Sequence, residues 1–395
     1  MNNLTQSKLN ILIVHNYYQI SGGEDTVVAN EKSMLEHYGH KVILYTKSNL
    51  DINQKSLLSK ISLGIKSIYN AEVYRDIQEL ILKEQIQIVH VHNTLSLISP
   101  SVYYAACDLG IPVFQTVHNY RLFCVNALLY RDQHICEECV SGGLFHAFQH
   151  KCYHQSRLQT LLCILILKIH RFRNIYRKIN YICLTEFNRQ KFIEALGKHV
   201  NINHIFVKPN FIQDQFPDLP AKEFHTACDE YFLFVGRLDS SKGVIELINA
   251  WPDHAISLII CGTGPEEENI RATLKKTNQN NIMLLGKQPH DHVLQYLYHA
   301  KALIFSSQWY EGFPMILVES MMCGTPVICH NIGNAADIIR QISPETVIDI
   351  TRDLPKVITA FQKEKYTVPY RNFYLQNYTE EKNYHDLMQI YNLQE

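Results

Sequence analysis

Short apolar runs alternate with helix-length segments along this chain, and that rhythm restricts it to a parallel α/β architecture built from βαβ units. In the first half, residues 10–15, 41–46, 87–92, 113–117, 179–184 and 204–207 read as strands, with helical segments such as 26–38 and 69–85 between them. The second half repeats the pattern. Strands are expected at 231–235, 257–261, 282–285, 302–305, 327–329 and 347–350, and helices at 244–249, 265–276, 292–298 and 314–323.

Two such sheets fit 395 residues at roughly 100–200 residues per domain. The stretch 208–224, with Pro209, Pro217 and Pro220, reads as the linker. The expected division is a first Rossmann-like domain over 1–213, with a Cys-rich insertion at about 120–180, and a second over 214–378. An amphipathic helix in the final segment, 379–395, is expected to cross back to the first domain. Ligands of open α/β sheets bind outside the carboxyl ends of the strands, so the two domains are expected to face each other across a cleft.

A formal net charge of −1 argues against nucleic acid as the partner, which calls for a basic excess. The first residues carry no basic region ahead of a long apolar run, so no signal peptide is read. The longest apolar run, 161–167, falls short of the roughly 20 residues of a membrane span. The expectation is a soluble, cytoplasmic protein, or one at the inner face of the cytoplasmic membrane. Eleven cysteines in such a setting are not read as disulfides.

Three loops of the second half carry chemistry suited to a phosphorylated ligand. VGRLDSSKG follows a strand. Gly236 permits an unusual turn, and Arg237 and Lys242 offer a planar fork and a compact charge for phosphate oxygens. CGTGP, with Gly262 and Gly264, leads into the acids of a helix start. It departs from a dinucleotide fingerprint, which disfavours a nicotinamide dehydrogenase. In WYEGFPMILVES, Pro314 suits the first turn of a helix whose free N–H groups make an anion site. Glu311 stands before that helix and Glu319 within it.

With VGRLDSSKG, CGTGP and EGFPMILVESMMCGTPVI in this order and spacing, the chain resembles glycosyltransferase family 4, retaining enzymes of the GT-B fold. The E-x(7)-E spacing of Glu311 and Glu319 is that family's. The resemblance implies that Arg237 and Lys242 hold a donor diphosphate. Glu311 would hold sugar hydroxyls, backbone N–H groups at Phe313, Pro314 and Met315 would border the sugar and phosphate, and Glu319 would bind the ribose. A nucleoside-diphosphate sugar, UDP- or GDP-linked, is the implied donor, with no divalent metal required for catalysis.

In the first half, SGGED opens a helix after the first strand, and Gly23 is the residue expected to touch the donor. HVHNT and HNYRL end two strands. They supply His92, Asn93, Asn119 and Arg121, which with Glu24 form the candidate acceptor side. The resemblance places His118 against the donor sugar, where a neutral imidazole or a backbone carbonyl would steady a developing positive charge. These segments and the following Cys run resemble a bacterial subgroup that builds surface polysaccharides, implying a glycan or lipid-linked acceptor.

Cys124, Cys136, Cys139 and Cys152 have the pattern C-x(11)-C-x(2)-C-x(12)-C. Two readings stand, a structural zinc site and four unrelated thiols. From Cys139 to Thr185 there is no Asp or Glu, while Lys151, Arg157, Lys168, Arg171, Arg173, Arg177 and Lys178 flank the apolar run. This reads either as a membrane-surface helix or as a core helix with a solvated basic side. The rivals to a transferase are a GT-B sugar-nucleotide epimerase and an inactive sugar-nucleotide-binding scaffold.

Overall fold

The computed structural model describes residues 8–19, 22–52, 57–220, 224, 226, 228–253 and 256–392. The chain divides into two compact units. The first holds Met1–Ala127, Glu137–Pro209 and Tyr384–Glu395; the second holds Leu128–Cys136 and Asn210–Asn383.

Fourteen strands are described, β1 (Asn10–Tyr17), β2 (Lys41–Ser48), β3 (Ile88–Asn93), β4 (Val113–Val117), β5 (Tyr130–Arg131), β6 (His134–Ile135), β7 (Asn180–Cys183), β8 (Ile205–Val207), β9 (Tyr231–Val235), β10 (Ser257–Cys261), β11 (Ile282–Gly286), β12 (Leu303–Phe305), β13 (Val327–His330) and β14 (Val347–Ile348). In the first unit the sheet order is β2-β1-β3-β4-β7-β8, and in the second β11-β10-β9-β12-β13-β14. All of these pairings are parallel. Their central strands are near-continuous apolar runs, as burial under helices on both faces requires. Residues 11–14 of β1 and 231–233 of β9 are fully buried.

Each sheet reverses its strand order once, between β1 and β3 in the first unit and between β9 and β12 in the second. At such a switch point the loops on either side diverge and leave a crevice at the strand ends. The loops that follow β9 and β12 carry VGRLDSSKG and SSQWYEGFP, so the second sheet's own topology brings together two of the three loops singled out in the sequence.

Three departures from the expected elements have physical reasons. The strand expected at 347–350 is only β14, because Asp349 caps the next helix, Ile350–Ala360, its Oδ1 accepting from Thr351 N at 3.0 Å. That helix and Glu364–Asn377 contain Pro355 and Pro369, which mask helical periodicity in the sequence. The β5–β6 hairpin, expected with the first half, is counted in the second unit. There Tyr130 lies close enough to Glu246 and Asp239 for both carboxylates, after burial, to raise its phenol.

The last helix is Glu380–Asn392, and from Tyr384 it groups with the first unit. Tyr384 stacks on Tyr38 with ring centroids 3.7 Å apart, and its Oη lies 2.9 Å from His40 Nε2. Tyr391 is buried against Phe114, its Oη 2.7 Å from His90 Nδ1. These hydrogen bonds satisfy phenols that burial would otherwise penalise.

Candidate functional site

In the second unit, the loop after β9 is folded by its own side chains. Asp239 accepts from Ser241 N at 3.0 Å and caps the 3-10 turn Ser240–Lys242. Gly243 follows at φ +66°, where an added Cβ would stand 2.3 Å from Ser306 O. The loop therefore lies against the end of β12, and Ser306 Oγ donates to Lys242 O at 2.7 Å. This delivers the Lys242 ammonium to Glu311, whose Oε1 also accepts from Ser307 Oγ at 2.7 Å and Trp309 Nε1 at 3.0 Å. The ammonium stands 5.6 Å from the Trp309 ring centroid, a cation–π contact. Ser307 and Trp309, the Glu311 partners on this loop, were not singled out in the sequence.

Arg237 is more exposed, its side chain 57% accessible, with Nε 3.6 Å from Asp239 Oδ2. Its guanidinium thus remains open to a ligand. Pro314 is the N-cap of the helix Met315–Met322, one position before the first-turn place expected for it. No side chain caps this helix; Leu317 N donates to Pro314 O at 3.1 Å, and the N–H groups ahead of it precede the first intrahelical acceptor. Phe313 anchors this start through its ring, 5.9 Å from that of Tyr378. Asn334 secures the preceding loop by donating to Gly312 O at 2.9 Å. Glu319 lies in the same helix, Oε1 3.1 Å from His290 Nε2, and this hydrogen bond raises the His290 imidazole against its burial.

Gly262 and Gly264 have a packing reason of their own. A Cβ at Gly262, where φ is +153°, would lie 1.8 Å from Gly236 O; one at Gly264 would lie 2.3 Å from Leu238 O. Gly236 N donates to Cys261 O, and Leu238 N to Thr263 O, each at 3.0 Å. The glycines let the loops after β9 and β10 bond backbone to backbone.

In the first unit, Gly22 caps the helix Gly23–His37, its N–H donating to Asp25 Oδ2 at 3.2 Å, and Gly23 is the first helical residue. Ser21 lies outside the described residues. Asp25 Oδ1 meets His15 Nε2 at 2.9 Å, while Asn119 Nδ2 approaches Glu24 Oε2 at 3.5 Å. Burial, with Asp25 alongside, pushes the Glu24 carboxyl up to about 8, against the pull of Arg121 and Asn119. Arg121 stands 5.6 Å over the Tyr153 ring and donates to Val125 O at 3.3 Å.

His92, Asn93, His118, Asn119 and Arg121 all line one cavity of about 80 Å³ at the ends of β3 and β4. Asn93 spends its amide on the backbone, donating to Asn16 O at 2.7 Å and accepting from Leu95 N at 3.0 Å. These bonds fix its place in the cavity wall. His118 Nε2 lies 2.8 Å from His92 Nδ1, and burial with His92 beside it holds the His118 imidazole well below its ordinary value. Behind His92, Glu31, His90 and His92 bring three ligand-type atoms within 4.8 Å of one another. The Lys208 ammonium, 3.4 Å from Glu31 Oε2, already supplies the positive charge there. Neither Glu31 nor Lys208 stood out in the sequence.

Cys124 is buried and donates to Asn126 Oδ1 at 2.9 Å. Cys139 and Cys152 pack on the apolar cluster of Val125, Leu144, Ala147, Ile164 and Leu167. Cys136 ends the segment Leu128–Cys136, its N–H donating to Leu129 O at 2.8 Å.

Among the described residues no helix is long and apolar enough to cross a membrane. The helix Arg157–Phe172 nevertheless exposes Leu158, Leu161, Leu165 and Phe172. Their spacing of three, four and seven puts them on one face. Lys168 is exposed on the same face.

Residues 215–365 match the family described as glycosyl transferases group 1. An uncharacterized 42.6 kDa protein in the cps region of Klebsiella pneumoniae is 24% identical, over 83% of this chain and 80% of that one. The O-antigen chain mannosyltransferase B of Escherichia coli is 28% identical, over 32% of this chain and 36% of its own. The crystal structure of Anabaena HepE in complex with UDP-glucose superposes with a TM-score of 0.60 at 14% identity, covering 97% of this chain and all of that one. The structural likeness shows the fold, two Rossmann-like α/β domains as in GT-B glycosyltransferases. The family match and the sequence relatives support glycosyl transfer as the activity.

Proposed function

We propose that this chain is a retaining glycosyltransferase that moves a hexosyl group from a UDP- or GDP-sugar to a hydroxyl of a glycan or lipid-linked sugar, in the synthesis of a surface polysaccharide. The observation that carries the reading is the assembly of Arg237, Lys242, Glu311 and the start of the helix Met315–Met322 at the switch point of the second sheet. Two cations, a carboxylate and a helix N-terminus suit a pyrophosphate joined to a polyol. HepE, which shares the fold, holds UDP-glucose. The mannosyltransferase similarity fits an acceptor in polysaccharide assembly.

In this reading the bond from the anomeric carbon to the diphosphate oxygen breaks, and its electron pair stays on the diphosphate. Arg237, Lys242 and the helix N–H groups stabilise the charge that develops there, which removes the need for a divalent metal. Lys242 has three N–H donors, so its bond to Glu311 leaves others for phosphate oxygens. The acceptor oxygen bonds to the same face of the anomeric carbon, and its proton passes to the departing diphosphate. His118, kept neutral, lies against the donor sugar.

The exposed stripe Leu158, Leu161, Leu165 and Phe172, with basic neighbours and no acidic residue from 139 to 185, is the surface we assign to peripheral contact with an anionic membrane on the cytoplasmic side. Cys124, Cys136, Cys139 and Cys152 are our candidates for a structural zinc, on the chemistry of four thiols in one short stretch. The metal would pin that stretch and take no part in transfer. The test of the function is product analysis with UDP- and GDP-sugars and a glycan acceptor in the presence of a chelator. An anomerically retained glycoside is expected; epimerised donor formed without acceptor would establish the rival reading.

A further inference from the structure

A chain of buried polar groups in close contact runs through the interior of the first unit to His118. It begins at Lys208, whose Nζ lies 3.4 Å from Glu31 Oε2, both side chains 2% exposed. Glu31 Oε1 lies 2.9 Å from His90 Nδ1 and 3.3 Å from His92 Nε2. His92 Nδ1 then lies 2.8 Å from His118 Nε2. The geometry follows from the fold. His90 and His92 alternate with Val91 on β3 and so share one sheet face, their rings stacked with centroids 4.6 Å apart. β4 pairs with β3 and carries His118 just past its end, where its ring stacks on His92 at 5.1 Å.

We infer that Glu31 and His92 are positioning residues that fix His118 as its Nε2–H tautomer, with Lys208 as the counter-ion that keeps the chain pointing one way. Glu31 Oε1 and His92 Nε2 form no hydrogen bond of good geometry, yet at 3.3 Å an imidazole lone pair facing a carboxylate oxygen would be repelled, so His92 carries its proton on Nε2. A neutral imidazole with Nε2–H has a bare Nδ1, which accepts from His118 Nε2–H. His118 is left with its lone pair on Nδ1. A protonated Glu31 could donate to His92 and reverse every step, and this explains why a lysine is buried beside it. Burial alone would raise the Glu31 carboxyl; His90 and Lys208 hold it well below the usual carboxylate range. His90 braces the node from the side, its Nε2 2.7 Å from Thr116 Oγ1 and its Nδ1 2.7 Å from Tyr391 Oη.

The inference deepens the proposed role of His118 and rests on that reading for its consequence. An imidazole locked with an outward lone pair can face a developing positive charge without competing donor character. The tautomer itself is a property of the protein alone and is measurable without any substrate.

The experiment is nitrogen-15 NMR of histidine-labelled full-length protein, with the His118 ring signals identified by their loss in His118→Gln. A single neutral Nε2–H pattern is expected in the wild type. In His92→Phe the ring volume is kept but the acceptor is gone, so His118 should populate both tautomers and turnover should fall at least tenfold with little change in donor KM. In His92→Gln the side-chain carbonyl can accept from His118 while its NH₂ donates to Glu31, so the single tautomer and most of the turnover should return. An Nδ1–H tautomer in the wild type, or a His118 signal unchanged by His92→Phe, overturns the inference. So does a Phe variant as active as the Gln variant. A wild type that shows the expected tautomer yet transfers no sugar would leave the inference standing and remove the proposed function instead.

Discussion

The Lys242 ammonium donates to Oε1 of Glu311, the carboxylate oxygen that also accepts from Ser307 and Trp309. Two residues 69 positions apart thus share one node at the switch point of the second sheet. Glu311 is only 7% exposed, so the ammonium is the charge that compensates its burial.

Removing that ammonium should therefore act twice. Lys242→Met should lower turnover on the order of 10²-fold, because leaving-group stabilisation is lost. It should also lower the melting temperature, because a buried carboxylate is left without its cation. Steady-state kinetics and a thermal melt of the same preparation check both. Near-normal turnover would remove Lys242 from the site.

Gly262→Ala should destabilise the second unit by about 1–3 kcal/mol, or more if the loops cannot part. The added Cβ would stand 1.8 Å from Gly236 O in a backbone conformation that side chains rarely adopt. Gly236→Ala makes the control, since its Cβ would meet only the Phe234 ring at an ordinary 3.4 Å. Chemical denaturation of both variants measures the difference; equal stability would contradict the packing assigned to these loops.

Much of this site was legible in the sequence. Gly236, Arg237, Lys242 and Pro314 lie at strand ends or a helix start, where local patterns of glycine, proline and charge mark a loop. What lay hidden depends on sheet order. Glu31 reads as an ordinary polar position of a surface helix, and Lys208 as a linker charge; only the β1-β3-β4-β7-β8 arrangement brings them to His92 and His118. One signal was available, since His90 and His92 two apart on a strand must share a face. The glycines of CGTGP were legible as turn residues, but the backbone they make room for belongs to another loop.

The Glu24 carboxyl gives a stability signal with a definite sign. Its folded value, about 8, lies above that of the unfolded chain. Between the two values the unfolded state releases the proton first, so stability falls as pH rises through that window. Glu24→Gln should flatten the fall. Melting temperatures at about pH 5 and about pH 8 for wild type and variant test this; parallel profiles would show that Glu24 is ionised in the folded protein.

The exposed helix face should make membrane binding depend on both apolar area and charge. Wild-type protein should sediment with phosphatidylglycerol vesicles and not with phosphatidylcholine vesicles. Leu158→Ser with Leu165→Ser should weaken sedimentation with only a small loss of stability, since Leu158 is 78% and Leu165 40% exposed. Absence of binding by the wild type would leave this face without its assigned partner.

The most direct measurement is the melting temperature of the purified protein titrated with UDP and GDP. A ligand that binds only the native state raises it by an amount that grows with the logarithm of ligand concentration above Kd. A dose-dependent rise with at least one of them is predicted, smaller in Arg237→Ala and in Lys242→Met. No rise with either nucleotide would contradict a pyrophosphate site in the second unit.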